Sequence, residues 1–162
     1  MTVLEITQEM MDRIRAHGED AYPEEGAGFL LGSEGHIADI LTLPNSHEAT
    51  ARHNRYLIAP QDYLKAEIMA EDRGLSLIGV FHSHPDHPAR PSEYDREWAQ
   101  PFFSYIITSV EAGKAAESCS WRLAEDRSQF IEEEIRIQTE QFIGSTEQAN
   151  TPEKSKPPRT AE

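Results

Sequence analysis

The chain contains a single cysteine, Cys119, and no apolar run near the roughly 20 residues that cross a bilayer. One cysteine excludes an internal disulfide, and it excludes the paired cysteines of a zinc deaminase. Residues 1–10 lack a basic stretch followed by an apolar one, so we expect no secretory signal. Together these absences predict a soluble protein located in the cytoplasm.

Basic residues are also scarce, with 15 lysines and arginines against 29 aspartates and glutamates, and the formal charge is −14. The segment from Ser145 onward is neutral, so the excess of acid lies on the rest of the chain. A surface of this sign repels phosphate backbones and anionic lipid headgroups. The charge therefore disfavours nucleic acids and membranes as partners, and its simplest role is solubility.

The length of 162 residues suits one domain with a single core. We predict that this domain occupies residues 1–143. Residues 144–162 lack large apolar side chains, so we expect a disordered tail there.

Apolar runs bounded by turn residues predict strands at 3–6, 26–32, 36–43, 56–58, 75–82, 104–110 and 118–123. Helical spacing predicts helices at 8–21, 60–73 and 92–98. The core-facing side of the second helix is expected to consist of Tyr63, Leu64, Ile68 and Met69. Segment 130–137 fits either a strand or a helix. The predicted fold class is α/β (α+β), with a mixed β-sheet flanked by helices.

The residues that indicate chemistry are His82-Ser83-His84-Pro85, followed by Ser92 and Asp95. Residues two apart on a strand point to the same side, so both imidazoles face one point if the strand continues through His84. A proline-rich loop then returns the chain, and Asp95 lies one turn beyond Ser92. Two histidines and one carboxylate leave a fourth position open for water, which is typical of a catalytic zinc site.

A hydrolytic zinc site also needs a general base, and Glu25 is the best candidate. It lies just before the glycine-bounded strand at 26–32, where a carboxylate can point into a cleft. Its neighbour Glu24 would point the other way. Ser92 has two possible roles that compete for its side chain: capping the helix that carries Asp95, or donating a hydrogen bond to the oxyanion.

These residues resemble the signature of the JAMM (MPN+, Mov34/PAD-1) metalloproteases: His82-x-His84, seven residues, Ser92, two residues, Asp95. The segment that begins at Glu25 and continues through residue 32 resembles the family's glutamate-containing strand. One departure is Ala27, where the family often has cysteine. We expect that position to be packing beneath the site. The resemblance covers about residues 1–137.

The resemblance implies a JAMM/MPN-type fold, related in architecture to cytidine deaminase-like folds, and one Zn²⁺ per chain. His82, His84 and Asp95 would be the ligands, Glu25 the general base and Ser92 the oxyanion helper. Family members cleave after the C-terminal Gly-Gly of ubiquitin or ubiquitin-like proteins. The chain looks like the short bacterial branch, whose members act on sulfur-carrier proteins of the ThiS/MoaD type.

Two other functions stay open at this point. RadC-like DNA-associated proteins have a similar string of His-x-His-Pro followed by Ser-x-x-Asp, although the acidic charge of this chain disfavours a DNA-associated function. A non-catalytic scaffold would keep zinc for stability alone. Among the remaining residues, we expect His87 on a surface loop, and Cys119 and Trp121 in the core. The carrier, the bond type and the oligomeric state are not predicted.

Overall fold

A computed structural model describes residues 2–44 and 58–138. The three helices are α1 (Gln8–Ala21), α2 (Pro60–Asp72) and α3 (Glu93–Trp98). The seven strands are β1 (Val3–Thr7), β2 (Ala27–Ser33), β3 (His36–Thr42), β4 (Ser76–Pro85), β5 (Ser104–Glu111), β6 (Lys114–Leu123) and β7 (Phe130–Gln138). In these ranges no helix has the length and hydrophobicity to traverse a lipid bilayer.

The strands form one mixed sheet in the order β1-β3-β2-β4-β5-β6-β7, which closes because β1 also pairs with β7. Strands β4 and β5 are parallel, as are β1 with β7 and β1 with β3, and the other pairs are antiparallel. The predicted mixed sheet flanked by helices is confirmed. Closure into a barrel was not predicted, and the likeness to cytidine deaminase-like folds stays a prediction.

Helix α1 packs one face against the sheet. Its first turn is capped by Thr7, whose side chain accepts a hydrogen bond from the Met10 N–H at 3.2 Å. The buried residues Met10, Met11 and Ile14 join a core cluster with Leu4, Ile6, Leu30, Phe81 and Ile106. Burying side chains of this size stabilises a fold by about 1.5–3 kcal/mol each.

Helix α2 packs differently from the prediction. Its buried residues are Ala66 and Ala70, whereas Leu64 is 57% and Ile68 49% exposed. The expected apolar face was therefore wrong for the larger side chains, although Tyr63 does pack against the core beside Phe29. The two small alanines let the helix approach the sheet closely, and the apolar spacing of the sequence does not show which side it turns inward.

The later strands also extend the predictions. Strand β6 starts at Lys114 because Ala112 and Gly113, both with positive φ, make a tight turn directly after β5. Residues 130–137 are strand, since β7 pairs with both β1 and β6. Cys119 and Trp121 are only half-buried, so their placement in the core was wrong. The predicted strand at 56–58 lies outside the described residues except for Ile58, and the predicted tail at 144–162 lies wholly outside them.

Candidate metal centre and active site

Strand β4 carries two histidines at its carboxyl end, between β2 and β5. Its burial is continuous from Gly79 to Pro85, because neighbouring strands flank it on both sides. His82 is 1% and His84 7% exposed. The alternation of a strand places both imidazoles on one side, with ring centroids 5.0 Å apart.

The proline loop, residues 86–91, returns the chain to the site and is held at three successive carbonyls. Ser109 donates to the His87 carbonyl at 2.7 Å, and the Trp121 indole N–H donates to the Ala89 carbonyl at 3.0 Å. Between them, the Pro88 carbonyl accepts a hydrogen bond from Nδ1 of His84 at 2.9 Å. Such bonds satisfy the buried backbone and fix the path of the loop.

Helix α3 then presents Asp95 to the histidines. Ser92 caps the helix by accepting a hydrogen bond from the Asp95 N–H at 3.1 Å. The Asp95 Oδ2 accepts one in return from the Ser92 N–H at 2.7 Å, which completes a capping box. This reciprocal bond turns the carboxylate back from the helix toward β4.

The three side chains meet as the sequence predicted. Nε2 of His82 lies 3.6 Å from Oδ1 of Asp95, and Nε2 of His84 lies 3.3 Å from Oδ2. One donor atom from each of the three buried residues lies within 4.8 Å of the others. The structure therefore groups His82, His84 and Asp95 as possible ligands of one metal ion.

The hydrogen bond to Pro88 determines which nitrogen of the His84 ring carries a hydrogen. The Pro88 carbonyl only accepts, so Nδ1 of His84 carries a hydrogen, and Nε2, the atom that faces Asp95, is the nitrogen that offers a lone pair whenever the ring is neutral. Histidine ligands in metal sites are commonly oriented in this way, with the second ring nitrogen donating to a carbonyl.

Burial and charge shift all three pKa values. Burial lowers the pKa of His82 to about 4, so this ring is neutral at pH 7. Burial alone would raise the pKa of Asp95, but the two histidines and the Ser92 N–H lower it to about 2. Burial lowers the pKa of His84, but its hydrogen bonds to Asp95 and Pro88, with the charges of Asp95 and Glu25, raise it overall.

These protonation states make the site suitable for a cation. A buried carboxylate that stays ionised needs a positive partner, and the neutral imidazole of His82 offers a nitrogen ligand that suits a borderline metal such as zinc. The donor set of two nitrogens and one oxygen thus fits Zn²⁺ on the chemistry of the side chains present.

Glu25 reaches the same place from a segment far earlier in the chain. Ser83, which is 2% exposed, accepts a hydrogen bond at Oγ from the Gly26 N–H at 2.8 Å. The backbone N–H of Ser83 donates to the Gly26 carbonyl at 2.9 Å. Strand register adds to this clamp, because Ala27 pairs with His82. The residue beside Glu25 is therefore fastened to the residue between the two histidines.

Close approach of β2 and β4 also depends on Gly28. A Cβ atom built there would lie 2.2 Å from the Phe81 ring and 2.3 Å from the Leu41 carbonyl oxygen. Only glycine fits between these neighbours. Its place in β2 keeps the segment that starts at Glu25 in register with the histidine strand.

A cavity of about 290 Å³ opens over the site, lined by Glu25, His84, His87, Pro88, Arg90 and Ser92. Glu25 lines it and Glu24 does not, as the sequence predicted. His87 is exposed, as expected for a surface loop, but it also borders this cavity. Sequence reasoning missed Ser83 and Arg90. A serine pointing away from two histidines within an apolar strand was a signal for Ser83.

The fold and the site define a class of protein: an α+β domain with a buried His-His-Asp cluster beside a glutamate. The chain belongs to the prokaryotic branch of the JAMM (JAB/MPN) metalloprotease family, since the model described as "Prokaryotic homologs of the JAB domain" matches residues 7–124.

Curated relatives carry peptidase names. The chain is 34% identical over 113 residues to the "Probable TtuB-protein conjugate cleaving protease" of Thermus thermophilus. This match covers 70% of this chain and 74% of the relative. It is 27% identical over 124 residues to the "CysO-cysteine peptidase" of Mycobacterium tuberculosis, and this match covers 76% of this chain and 84% of the relative.

Solved structures agree on the fold. A protein from Salinibacter ruber is 42% identical, with a TM-score of 0.64, and the match covers 85% of this chain and 92% of that one. A JAB1/MPN domain protein from Archaeoglobus fulgidus is 19% identical, with a TM-score of 0.52, and the match covers 85% of this chain and 100% of that one. The second likeness shows the fold alone.

Proposed function

We propose that the chain is a zinc-dependent peptidase that hydrolyses the amide bond after the C-terminal Gly-Gly of a ubiquitin-like or sulfur-carrier protein. The observation that carries this proposal is the approach of His82, His84 and Asp95 within 4.8 Å, beneath a cavity that Glu25 and Ser92 line.

His82, His84 and Asp95 would hold the zinc ion. When bound, Zn²⁺ supplies a Lewis acid and lowers the pKa of water to about 7. The protein keeps the three donors ready for it: burial leaves His82 neutral, the Pro88 carbonyl fixes the His84 ring, and the capping box orients Asp95.

Glu25 would act as the general base. Its carboxylate lines the cavity with His84 and is half-buried, so it can accept a proton from an attacking water within the cavity. The same carboxylate then delivers that proton to the nitrogen of the leaving amine as the carbon–nitrogen bond breaks. The clamp between Ser83 and Gly26 holds this group in position.

Ser92 would donate a hydrogen bond to the carbonyl oxygen as negative charge develops on it. The capping bond uses a lone pair on Oγ, because the Asp95 N–H is the donor. The hydroxyl hydrogen is not used by that bond. Capping and oxyanion stabilisation therefore employ different atoms of one side chain and no longer compete.

The substrate class rests on the relatives. The names of two relatives describe cleavage of TtuB-protein conjugates and a peptidase for CysO-cysteine. A glycine-rich tail brings no side chains into the cavity of about 290 Å³ that Glu25 and Ser92 line. The cytoplasmic location and the absence of nucleic-acid and membrane partners stay predictions.

The test compares Glu25→Gln with Glu24→Gln as a matched control. We expect Glu25→Gln to lower cleavage of a MoaD-type carrier ending in Gly-Gly-Ala by about 10²–10⁴-fold while zinc content is retained. Glu24→Gln should cleave like the wild type, because Glu24 does not line the cavity. Wild-type rates for Glu25→Gln would overturn the assignment of the base, and a wild-type protein that binds no zinc would overturn the whole proposal.

A further inference from the structure

The proline loop presents one arginine at the mouth of the site. Ala89 is fully buried and its carbonyl is held by Trp121, while Arg90 is exposed. The backbone N–H of Arg90 donates to the Pro88 carbonyl at 2.8 Å. Pro91 follows and restricts the backbone further. The start of the Arg90 side chain is therefore fixed relative to the metal ligands on either side of the loop.

Arg90 borders two cavities. It lines the site cavity with Glu25 and His84, and it also lines an adjoining groove of about 520 Å³ that extends to Trp121 and Phe130. Among the residues that the structure describes, Ser92 is the only other one that lines both spaces. A substrate that extends from the site cavity into the groove would therefore pass Arg90 and Ser92.

The other arginines near the groove already have partners. Arg96 pairs with Glu93 at 2.6 Å, and Arg127 donates to the carbonyls of Ala99 and Arg96, each at 2.8 Å. Within residues 2–44 and 58–138, no carboxylate or carbonyl oxygen bonds the Arg90 guanidinium. The net charge of −14 repels anions in general, so an anionic ligand needs a local cation, and Arg90 supplies one beside the site.

We propose that Arg90 binds the carboxylate of the released group, so that the enzyme selects a single amino acid joined through its α-amine to the Gly-Gly tail. This inference rests on the proposed function. In such a substrate the carboxylate lies one carbon from the nitrogen of the reacting bond. The Nε of a lysine within a protein has no carboxylate nearby. A guanidinium binds a carboxylate through two parallel hydrogen bonds, which gives both affinity and orientation.

The first experiment compares two MoaD-type carriers, one ending in Gly-Gly-Ala with a free carboxylate and one ending in Gly-Gly-alaninamide. For the wild type, we expect kcat/KM to be about 10- to 100-fold higher on the free carboxylate, the range for hydrogen bonds to charged groups. Arg90→Ala should remove most of this ratio. Arg90→Lys should keep part of it, because the charge remains without the planar pair of donors.

Binding in the inactive background provides a second readout. Glu25→Gln should bind the free-carboxylate carrier more tightly than the amide carrier in calorimetry, and adding Arg90→Ala should equalise the two dissociation constants. Arg96→Ala is the matched control, since Arg96 lines the groove but not the site cavity and is already paired with Glu93. It should leave the ratio between the two carriers unchanged.

The outcomes separate the two proposals. If the wild type cleaves neither carrier, the proposed function fails and the Arg90 assignment fails with it. A second outcome is that the wild type cleaves both carriers and Arg90→Ala either lowers both rates by the same factor or leaves both unchanged. In that case the proposed function stands and the carboxylate assignment is wrong. Equal loss of the ratio in Arg96→Ala would also overturn it, because the effect would then not be specific to Arg90.

Discussion

Two segments form the site, and they are held in different ways. Residues 82–95 supply the candidate ligands and Ser92 from one stretch, fastened by the capping box and the held carbonyls of the proline loop. Glu25 belongs to a segment whose Gly26 bonds Ser83, 57 residues later. The candidate metal site therefore depends on local geometry, whereas the position of Glu25 depends on the pairing of β2 with β4.

The largest effect is expected where the local segment is broken. Asp95→Ala removes a candidate ligand and the capping partner of Ser92. We expect zinc content, measured by mass spectrometry of the purified protein, to fall far below one per chain and activity to fall about 10⁴-fold or more. Asp62→Ala is the control, because Asp62 holds the same position in the first turn of α2. Full zinc content in Asp95→Ala would contradict the ligand assignment.

A smaller effect is expected at Ser92, which serves the same segment. Ser92→Ala should lower kcat by about 10²–10³-fold through loss of the proposed oxyanion donor, and stability by about 1 kcal/mol through loss of the cap. Thr7→Ala removes an equivalent cap from α1 far from the chemistry. Chemical denaturation and steady-state kinetics separate the two losses. If both variants lose stability and neither loses kcat, Ser92 is a cap only.

The link between the two segments is tested at Ser83. Ser83→Ala removes the Oγ acceptor for the Gly26 N–H and should lower kcat by about 10- to 100-fold, because a small displacement of Glu25, the proposed base, is costly. Zinc content and KM should change little. Ser120→Ala is the control: this buried serine bonds Glu133 at 2.7 Å, and its loss should lower stability without lowering kcat. A proportional loss of kcat in both variants would point to general destabilisation.

The smallest effect concerns pH and the segment of Glu25. Burial lowers the pKa of His17 below its ordinary value of 6.5, while its ring bonds the Ala27 carbonyl at 3.1 Å. Below the unfolded pKa, the unfolded chain binds more protons at this site, so stability decreases as pH falls through 6.5. His17→Gln should show a smaller loss of stability between about pH 7.5 and about pH 5.5 in urea unfolding. An identical pH dependence in both proteins would contradict this account.

Most elements of the fold were predictable because their signals are local. The helix over α1 and the strands β2 to β5 follow from apolar spacing and from turn residues. The inward face of α2 was not predictable, since Ala66 and Ala70 are less apolar than the exposed Leu64 and Ile68. Strand β7 was ambiguous because the consecutive Glu132, Glu133 and Glu134 also suit a helix, and only pairing with β1 and β6 makes the segment a strand.

The sequence by itself determined the candidate metal ligands. The two-residue strand repeat directs His82 and His84 to one side, and the three-residue spacing from Ser92 turns Asp95 back through a capping box. Tertiary structure alone decided the rest: closure of the barrel, the clamp between Ser83 and Gly26, and the place of Arg90 between two cavities. The physical reason is range, because backbone periodicity sets directions over a few residues, whereas the distance between remote segments is set by strand register.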